Sequence, residues 1–508
     1  MVWDIGRVDV ARGFVVRVRS LLMGTSLTAR AGCLLVAAGA LFVMMWPVLQ
    51  SEFGMIDDHQ LIDTMPGGRA LSIVDIPSRA MVATGEPVGR FRPGYWAAQA
   101  VEMSIAGQHP SWWYLDRMIL AAIVLIAVFV VASRIVGPLP AAVISLLPFS
   151  GPQVEAWLRL GAQEAYAMPL AGLGLAFIAV RALNGRVHPA QVAPGYVLLL
   201  LAAQVKENFI TLAPAAVVVS VGLTGLRHLR RADWIVAGGV LVMTLIDLVL
   251  IASKIHRYGN VYPQERTAWA VLQHLRYVFE TQTKFALLAV GMSAVVLLVA
   301  RSRRRLTVVV AAFVAVGSLL VLPQSVLLAG TGREGRYLYP LALLPCVVWA
   351  LTFWGAATLP RWKLPVTAGL LVALIIPLGS GFALGRDTAL GNALRTRGFQ
   401  QQLEAIRQRA VDSGNRTVVL EPALATLDYE PVASLATYLT KVHGLTVMTL
   451  PAPPVDGNPY YAMLNRELAL LSRHGGDGFT PYDNTNRCVT VSFGLESPTC
   501  TVVYGFRS

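Results

Sequence analysis

Residues 31–49 read AGCLLVAAGALFVMMWPVL, an apolar run without a charged residue, and five arginines precede it. A membrane-spanning helix needs about 20 mainly apolar residues to cross the hydrocarbon layer. The core of a secretory signal peptide is the alternative, but this run is long, ends in Trp46-Pro47 and is not followed by an Ala-x-Ala cleavage pattern. We therefore predict an uncleaved first span with a cytoplasmic N-terminus.

The composition of the whole chain is typical of a polytopic membrane protein. Of its 508 residues, 55% are hydrophobic and 14% charged, and the mean hydropathy is +0.58, whereas soluble chains carry about 25% charged residues. These figures exclude a disordered chain, and 44 glycines and 4 cysteines are too few for a collagen-like or disulfide-rich scaffold. Further apolar runs lie at 118–136, 138–151, 164–183, 192–205, 208–226, 234–252, 284–300, 306–328, 337–357 and 364–384.

The net charge of +13 is not distributed as in a nucleic-acid-binding protein, and we predict no nucleic-acid partner. Residues 385–508 contain 11 basic and 11 acidic residues, so the basic excess belongs to the first 384 residues. There it forms short clusters between apolar runs, which is the pattern of cytoplasmic loops. Placing every cluster in the cytoplasm predicts about eleven spans and an extracytoplasmic C-terminus. The clusters are Arg134; Arg181, Arg186 and His188; Arg227, Arg230 and Arg231; Arg301, Arg303, Arg304 and Arg305; and Arg361 and Lys363.

Two parts of this pattern are irregular. The run 138–151 is short and rich in proline. One helix through 192–226 would be about 50 Å long at 1.5 Å per residue, which is too long for a single crossing. We therefore expect the chain to turn or break near Lys206-Glu207-Asn208.

The chain divides by composition into two domains. Residues 1–384 form the predicted transmembrane domain, with a first external loop at 50–117, and residues 385–508 form an extracytoplasmic α/β domain. Within the second domain the pattern predicts helices at 400–411 and 460–473 and strands at 417–420 and 445–450. Because this domain lies in an oxidising compartment, we predict a disulfide between Cys488 and Cys500. Cys33 and Cys346 lie in apolar runs and are predicted to be packing residues.

Two adjacent carboxylates, Asp57 and Asp58, follow the first span directly and precede His59. Neighbouring carboxylates repel each other, so the pair favours a cation, a metal ion or a shared proton. Such a site can deprotonate a hydroxyl group or hold a divalent ion. A solvated acidic turn is the alternative interpretation.

Other charged residues lie at the outer ends of predicted spans. Arginine suits bidentate phosphate recognition, and a charged residue within the membrane usually faces a cavity or a partner. Anchoring at the membrane interface explains the same arginines equally well, and a hairpin tip that reaches water would explain the lysine. The predicted substrate-binding residues are His59, Arg90, Arg92, Arg159, Glu164, Lys206, Glu207, Arg333, Arg336 and Tyr337.

These motifs together resemble the GT-C superfamily of membrane glycosyltransferases, which use polyprenyl-phosphate sugars. The resemblance rests on Ile-Asp-Asp-His after the first span, Gly-Arg-Phe-Arg-Pro-x-Tyr-Trp later in the loop, Arg-Leu-Gly-x-Gln-Glu before a span, Lys-Glu-x-Phe, and Arg-Tyr-x-x-Pro before a late span. The motifs begin at Ile56, Gly89, Arg159, Lys206 and Arg336. The resemblance covers the predicted transmembrane domain, which is about three quarters of the chain. None of the motifs lies in the C-terminal domain.

The resemblance implies an inverting transfer from a polyprenyl-phosphate sugar to a hydroxyl group of a glycan, lipid or protein acceptor. One loop carboxylate would be the catalytic base; it is Asp57 or Asp58, and we favour Asp57. Lys206, Arg333 and Arg336 would stabilise charge on the departing phosphate. The resemblance leaves the need for a cofactor open, because some relatives bind a divalent cation at the acidic motif; if a metal ion is bound here, Asp58 is the predicted ligand. The resemblance places the protein in the inner membrane of a bacterial cell. A transporter or flippase of a lipid-linked sugar, and a non-catalytic assembly subunit, are the alternatives.

Overall fold

The computed structural model describes residues 26–54, 58, 62, 91–183, 187–258, 267–278, 335–357, 363–412, 417–421, 434–449, 489–493 and 502–506. The longer elements are helical. They are α1 (Leu27–Met45), α2 (Pro93–Ala106), α3 (Pro110–Val136), α4 (Pro138–Ser145), α5 (Glu155–Leu158), α6 (Glu164–Leu183), α7 (Ala193–Val205), α8 (Leu212–Thr224), α9 (Arg231–Tyr258), α10 (Leu344–Ala357) and α11 (Lys363–Asp412). Residues 268–278 are also helical. Short 3-10 helices precede or follow several of these elements, at Trp46–Gln50, Leu147–Phe149, Pro152–Val154, Pro189–Val192, Glu207–Phe209, Leu226–His228, Gly335–Leu338 and Leu341–Leu343.

The protein is a helical, multi-pass membrane protein. Within the described ranges, six helices are long and apolar enough to cross a membrane, and they span Leu27–Gln50, Pro110–Val136, Glu164–Leu183, Glu207–Thr224, Arg231–Lys254 and Leu364–Asp412. Shorter apolar helices occupy Pro138–Phe149, Pro189–Val205 and Leu341–Ala357. The predicted runs 284–300 and 306–328 lie outside the described residues, so the expectation of about eleven spans stays a prediction.

The predicted break in the long apolar stretch is confirmed. Helix α7 ends at Val205, Lys206 is extended with φ −149° and ψ 126°, and a 3-10 turn at Glu207–Phe209 leads into α8. Because α7 ends at Val205, the polar residues Lys206, Glu207 and Asn208 lie between the apolar helices α7 and α8 and not within either of them. All three side chains are nevertheless buried.

The described residues fall into two compact units. The membrane unit comprises residues from 1–46, 77–98 and 116–389, and the loop–tail unit comprises residues from 47–76, 99–115 and 390–508. Helix α11 is continuous from Lys363 to Asp412, so the domain boundary that we predicted at 385 lies inside a helix. Hydropathy falls near that point, but the backbone hydrogen bonding of a helix does not depend on the hydropathy of its side chains.

Within the membrane unit, α6 and α7 form a closely packed antiparallel pair. A Cβ atom on Gly174 would lie 2.8 Å from the carbonyl oxygen of Gly195, and one on Gly195 would lie 2.9 Å from that of Gly174. Small residues of this kind let helix backbones approach closely in membranes. The contact fixes the register of the pair, and it sets the start of α6 beside the end of α7.

The loop–tail unit contains a four-stranded sheet made of β1 (Thr417–Glu421), β2 (Thr446–Thr449), β3 (Val489–Phe493) and β4 (Val502–Phe506). The strand order is β2-β1-β3-β4, with β1 parallel to β2 and β3, and β4 antiparallel to β3. The predicted strands at 417–420 and 445–450 and the predicted helix at 400–411 are confirmed. The predicted helix at 460–473 lies outside the described residues.

Candidate functional site

The antiparallel pairing of α6 and α7 brings Glu164 and Lys206 together. Glu164 is the first residue of α6, and Lys206 directly follows the last residue of α7. The Lys206 Nζ atom lies 3.4 Å from a carboxylate oxygen of Glu164 and donates a hydrogen bond of 2.9 Å to Gln163 Oε1. Two residues that the sequence proposed independently therefore form one buried ion pair.

Lys206 also lies close to an aromatic ring. The Nζ atom of Lys206 lies 5.2 Å from the centre of the Tyr337 ring, and the guanidinium carbon of Arg336 lies 5.2 Å from the same ring. A cation within about 6 Å of an aromatic face is attracted to it. Lys206 and Arg336 lie far apart in the sequence, and both approach Tyr337. We call Glu164, Lys206, Arg336 and Tyr337 the cation cluster.

The turn that carries Arg336 and Tyr337 is fixed by close packing on its neighbours. A Cβ atom on Gly335 would lie 2.0 Å from the carbonyl oxygen of Pro152, so a larger residue would displace the turn. The hydroxyl of Tyr339 donates a hydrogen bond of 2.5 Å to the Pro148 carbonyl and accepts one of 2.6 Å from Trp157 Nε1.

A further hydrogen bond ties this turn to the break after α7. The side-chain amide of Asn208 donates to the carbonyl of Tyr339 over 2.6 Å. The break that carries Lys206 and the turn that carries Tyr337 are thus joined directly, which keeps the cation cluster in register.

The arginine-aromatic segment also reaches this region. A Cβ atom on Gly94 would lie 3.0 Å from the backbone of Gln204, near the end of α7. Arg92 is buried, and its guanidinium carbon lies 5.3 Å from the Tyr95 ring, which lies 5.9 Å from the ring of Tyr166 in α6. Arg92 therefore lies against Tyr95, whose ring packs on α6 at Tyr166, while the neighbouring Gly94 packs on α7 at Gln204.

Arg159, another predicted substrate-binding residue, forms an ion pair within its own segment of the chain, and its role stays a prediction. Its guanidinium forms an ion pair of 2.5 Å with Glu155, four residues earlier, and its side chain is 31% exposed. Glu155 is the first residue of α5, and Arg159 follows the last residue of this helix with an extended backbone, φ −117° and ψ 136°.

The carboxylate of Asp58 lies in the loop–tail unit, where it is buried. Its Oδ2 atom accepts a hydrogen bond of 2.6 Å from the backbone N–H of Gly54. A hydrogen bond to an ionised acceptor is stronger than one between two neutral groups. The bond fixes one oxygen of Asp58 relative to the chain that leaves the first span.

Several predicted residues lie outside the described part of the chain, namely Asp57, His59, Arg90, Arg333, Cys488 and Cys500. Their roles and the predicted disulfide stay predictions. Cys33 and Cys346 are free and buried, as expected of packing residues. Among the described residues, no three His, Cys, Asp or Glu side chains come close enough together to hold a metal ion.

No family model matches the chain, and no curated protein matches it. The chain is similar in structure to ArnT. The crystal structure of ArnT from Cupriavidus metallidurans bound to undecaprenyl phosphate aligns with a TM-score of 0.48 and 14% identity, over 92% of this chain and 94% of ArnT. ArnT in the apo state aligns with a TM-score of 0.47 and 15% identity, over 95% of this chain and 93% of ArnT.

Sequence reasoning did not single out Arg117, which is fully buried in the membrane unit. Its Nη2 atom donates hydrogen bonds of 2.9 Å to the Leu160 carbonyl and 2.5 Å to the Tyr166 hydroxyl. Arg117 thereby holds the segment that precedes Glu164. In the sequence it follows Trp112, Trp113 and Tyr114, so it is indistinguishable from an arginine that anchors a helix at the membrane interface.

Proposed function

We propose that the protein is an inverting membrane glycosyltransferase that moves a sugar from a polyprenyl-phosphate donor to an acceptor hydroxyl group. The acceptor is a glycan, a lipid or a protein, and the reaction takes place at the outer face of a bacterial inner membrane. The observation that carries the proposal is the cation cluster, in which Lys206 and Arg336 both approach Tyr337. A phosphate needs cationic donors that converge from a fixed scaffold.

The burial of this cluster favours a binding role over a purely structural one. Burying an ion pair costs desolvation that the attraction between the charges often fails to offset, so a pair such as Lys206–Glu164 is weak support for stability alone. Ionisable residues within membrane segments usually mark substrate or ion pathways. Interface anchoring would place the lysine in water, whereas its side chain is only 4% exposed.

The two cations differ in how deeply they are buried. Lys206 contacts Gln163, Glu164 and the Tyr337 ring, while the side chain of Arg336 is half-buried. We propose that Arg336 meets the phosphate first and that Lys206 supplies a preorganised positive charge beside it. Preorganised charge is effective because it needs no rearrangement while negative charge develops on the leaving group.

In the proposed step, the acceptor oxygen forms a bond to the anomeric carbon of the sugar while the bond from that carbon to the phosphate oxygen breaks. The electron pair of the broken bond stays on the phosphate, which departs without needing a general acid. The acceptor proton passes to a loop carboxylate, Asp57 or Asp58, acting as general base. Attack opposite the leaving group inverts the anomeric configuration.

The apolar tail of the donor would lie between the spans. The membrane unit holds a cavity of about 510 Å³ whose walls come from α3, α4, α6, α8 and α10 and from Pro340 and Leu343, which precede α10. Its lining is almost entirely Ala, Val, Leu and Ile, as expected of a site for a hydrocarbon chain. Undecaprenyl phosphate is bound in one of the ArnT structures; we infer a ligand of that chemical class here from the cation cluster and the cavity, and not from that likeness.

The proposal is tested by binding in lipid nanodiscs, with undecaprenyl phosphate and undecaprenol as paired probes. We expect the phosphate to bind more tightly, and Arg336→Gln to weaken its binding about tenfold or more, because a hydrogen bond to a charged group contributes about 1.5–3 kcal/mol. Arg181→Gln is the matched control, since Arg181 also lies over an aromatic ring, that of Phe177 at 5.7 Å.

Equal binding of the two probes would overturn the proposed phosphate site. Movement of a lipid-linked sugar across the bilayer without cleavage would favour the flippase alternative instead.

A further inference from the structure

The segment that leads to Asp58 lies along one face of the C-terminal half of α11. Four consecutive residues of that segment, Gln50 to Phe53, are each held by a polar side chain of the helix. Arg397 donates to the Gln50 carbonyl over 2.8 Å, and Asn392 donates to the Ser51 hydroxyl over 3.2 Å. Thr396 accepts from the Glu52 N–H over 3.0 Å, and Gln400 donates to the Phe53 carbonyl over 2.8 Å.

The residues of α11 that make these contacts are regularly spaced along the helix. Residues 392, 396 and 400 recur every four positions, so their side chains lie one above the other on the helix, and residue 397 is adjacent to them. All of these residues belong to the loop–tail unit. The helix therefore holds the segment Gln50–Phe53, which begins at the last residue of the 3-10 helix Trp46–Gln50, through one side chain per residue.

The last contact of the series reaches Asp58 through a single peptide group. The Gln400 side-chain amide donates to the carbonyl of Phe53, and the N–H of the same peptide, on Gly54, donates to Asp58 Oδ2 over 2.6 Å. Hydrogen bonds that share one peptide group polarise each other and strengthen together. Gln400 thus acts on the carboxylate without contacting it.

A second residue holds the other side of Gly54. The hydroxyl of Tyr438 donates to the Gly54 carbonyl over 3.0 Å, and its ring lies 5.4 Å from that of Phe399 in α11. The Tyr438 side chain is buried. Gly54 is also closely surrounded, since a Cβ atom there would lie 3.2 Å from Asp58 Oδ2 and 3.4 Å from a methyl carbon of Thr396.

We propose that Gln400 and Tyr438 are positioning residues for the Asp58 carboxylate. The C-terminal part of the chain then has a role in the transfer step itself, because it orients a loop carboxylate. This inference rests on the proposed function, since it assigns Asp58 to the reaction.

The test uses the full-length protein with Gln400→Met and Tyr438→Phe, which keep the shape of each side chain and remove the donor. Gln408→Met is the matched control, because Gln408 lies on the same helix and its amide donates to Asp412 at an exposed position. Two readouts are measured: amide hydrogen exchange of the peptide that covers residues 50–58, and the kcat and KM of sugar transfer.

We expect faster exchange at residues 50–58 in both variants but not in the control. We also expect a kcat lower by about 2- to 10-fold, the effect of one neutral hydrogen bond, with the KM for the donor unchanged. A general loss of structure would instead accelerate exchange in the helices of the membrane unit and would change KM.

Unchanged exchange at residues 50–58 would overturn the inference, whatever the activity shows. Faster exchange with an unchanged kcat would overturn the positioning role as well. If the parent protein itself transfers no sugar, the proposed function fails, and the exchange data still report whether the two residues hold Asp58.

Discussion

The Nζ atom of Lys206 lies 3.4 Å from a carboxylate oxygen of Glu164, and the two side chains are 4% and 1% exposed. A buried ion pair of this kind is sensitive to the loss of one partner, because the other charge is left without compensation. The pair also lies where the proposed phosphate would bind. Substitutions can therefore separate the contribution of the ion pair to stability from its contribution to phosphate binding.

The first prediction concerns the stability of this ion pair. Lys206→Met leaves the Glu164 carboxylate buried without its cation, and we expect a loss of about 3–5 kcal/mol in the free energy of unfolding. Adding Glu164→Gln removes the uncompensated charge and should recover most of that loss. Thermal unfolding of the purified single and double variants measures the coupling, and equal stabilities for single and double variants would contradict it.

The second prediction concerns the close contact of α6 and α7. A Cβ atom on Gly174 would lie 2.8 Å from the backbone of Gly195, so Gly174→Ala must push the helices apart and lower the melting temperature. Gly222→Ala on α8 is the control, since a Cβ atom there meets nothing within 4 Å. Because alanine is also the better helix former, the control should be neutral or slightly stabilised. Comparable melting temperatures for the two variants would show that the contact does not matter.

The third prediction concerns the apolar cavity. Ala179 lines it, and Ala179→Trp should fill part of the space that we assign to the donor tail. We expect binding of undecaprenyl phosphate to weaken, while binding of a ten-carbon geranyl phosphate is nearly unchanged. Leu173→Trp, at an exposed position of the same helix, is the control. An equal effect on both lipids would place the tail elsewhere.

The fourth prediction concerns topology. The basic clusters predict that the segment before α9 lies in the cytoplasm and that the end of α11 lies outside. Reporter proteins fused after Arg231 should therefore read cytoplasmic, and those fused after Asp412 should read extracytoplasmic. A cytoplasmic signal after Asp412 would remove the loop–tail unit from the outer face and would contradict the proposed site of reaction.

The sequence was sufficient to predict the helical membrane architecture and the break at Lys206, because both follow from chain length and hydropathy over short windows. It also named Glu164 and Lys206 as separate candidates. It did not predict that they pair with each other, since that depends on the register of α6 against α7, which Gly174 and Gly195 set through a tertiary contact.

The continuation of α11 past Gly385 was missed for a related reason. Hydropathy reports where side chains meet lipid, and it falls before the helix ends at Asp412. The role of that extension could not be inferred either, because the contacts of Gln400 with the chain near Asp58 join residues about 350 positions apart. Arg117 was missed because its neighbours are typical of the membrane interface.

The central claim is that this protein cleaves a polyprenyl-phosphate sugar and transfers the sugar at a loop carboxylate. The most direct measurement is the release of polyprenyl phosphate from pentose- and hexose-carrying donors, in nanodiscs supplied with a membrane extract as acceptor. The phosphate is the common product, so the assay does not require the acceptor to be known. We predict release by the parent protein, and a fall of about 10²–10⁴-fold in either Asp57→Asn or Asp58→Asn, whichever carries the general base. Parental rates of release in both variants, or no release by the parent from any donor, would contradict the claim.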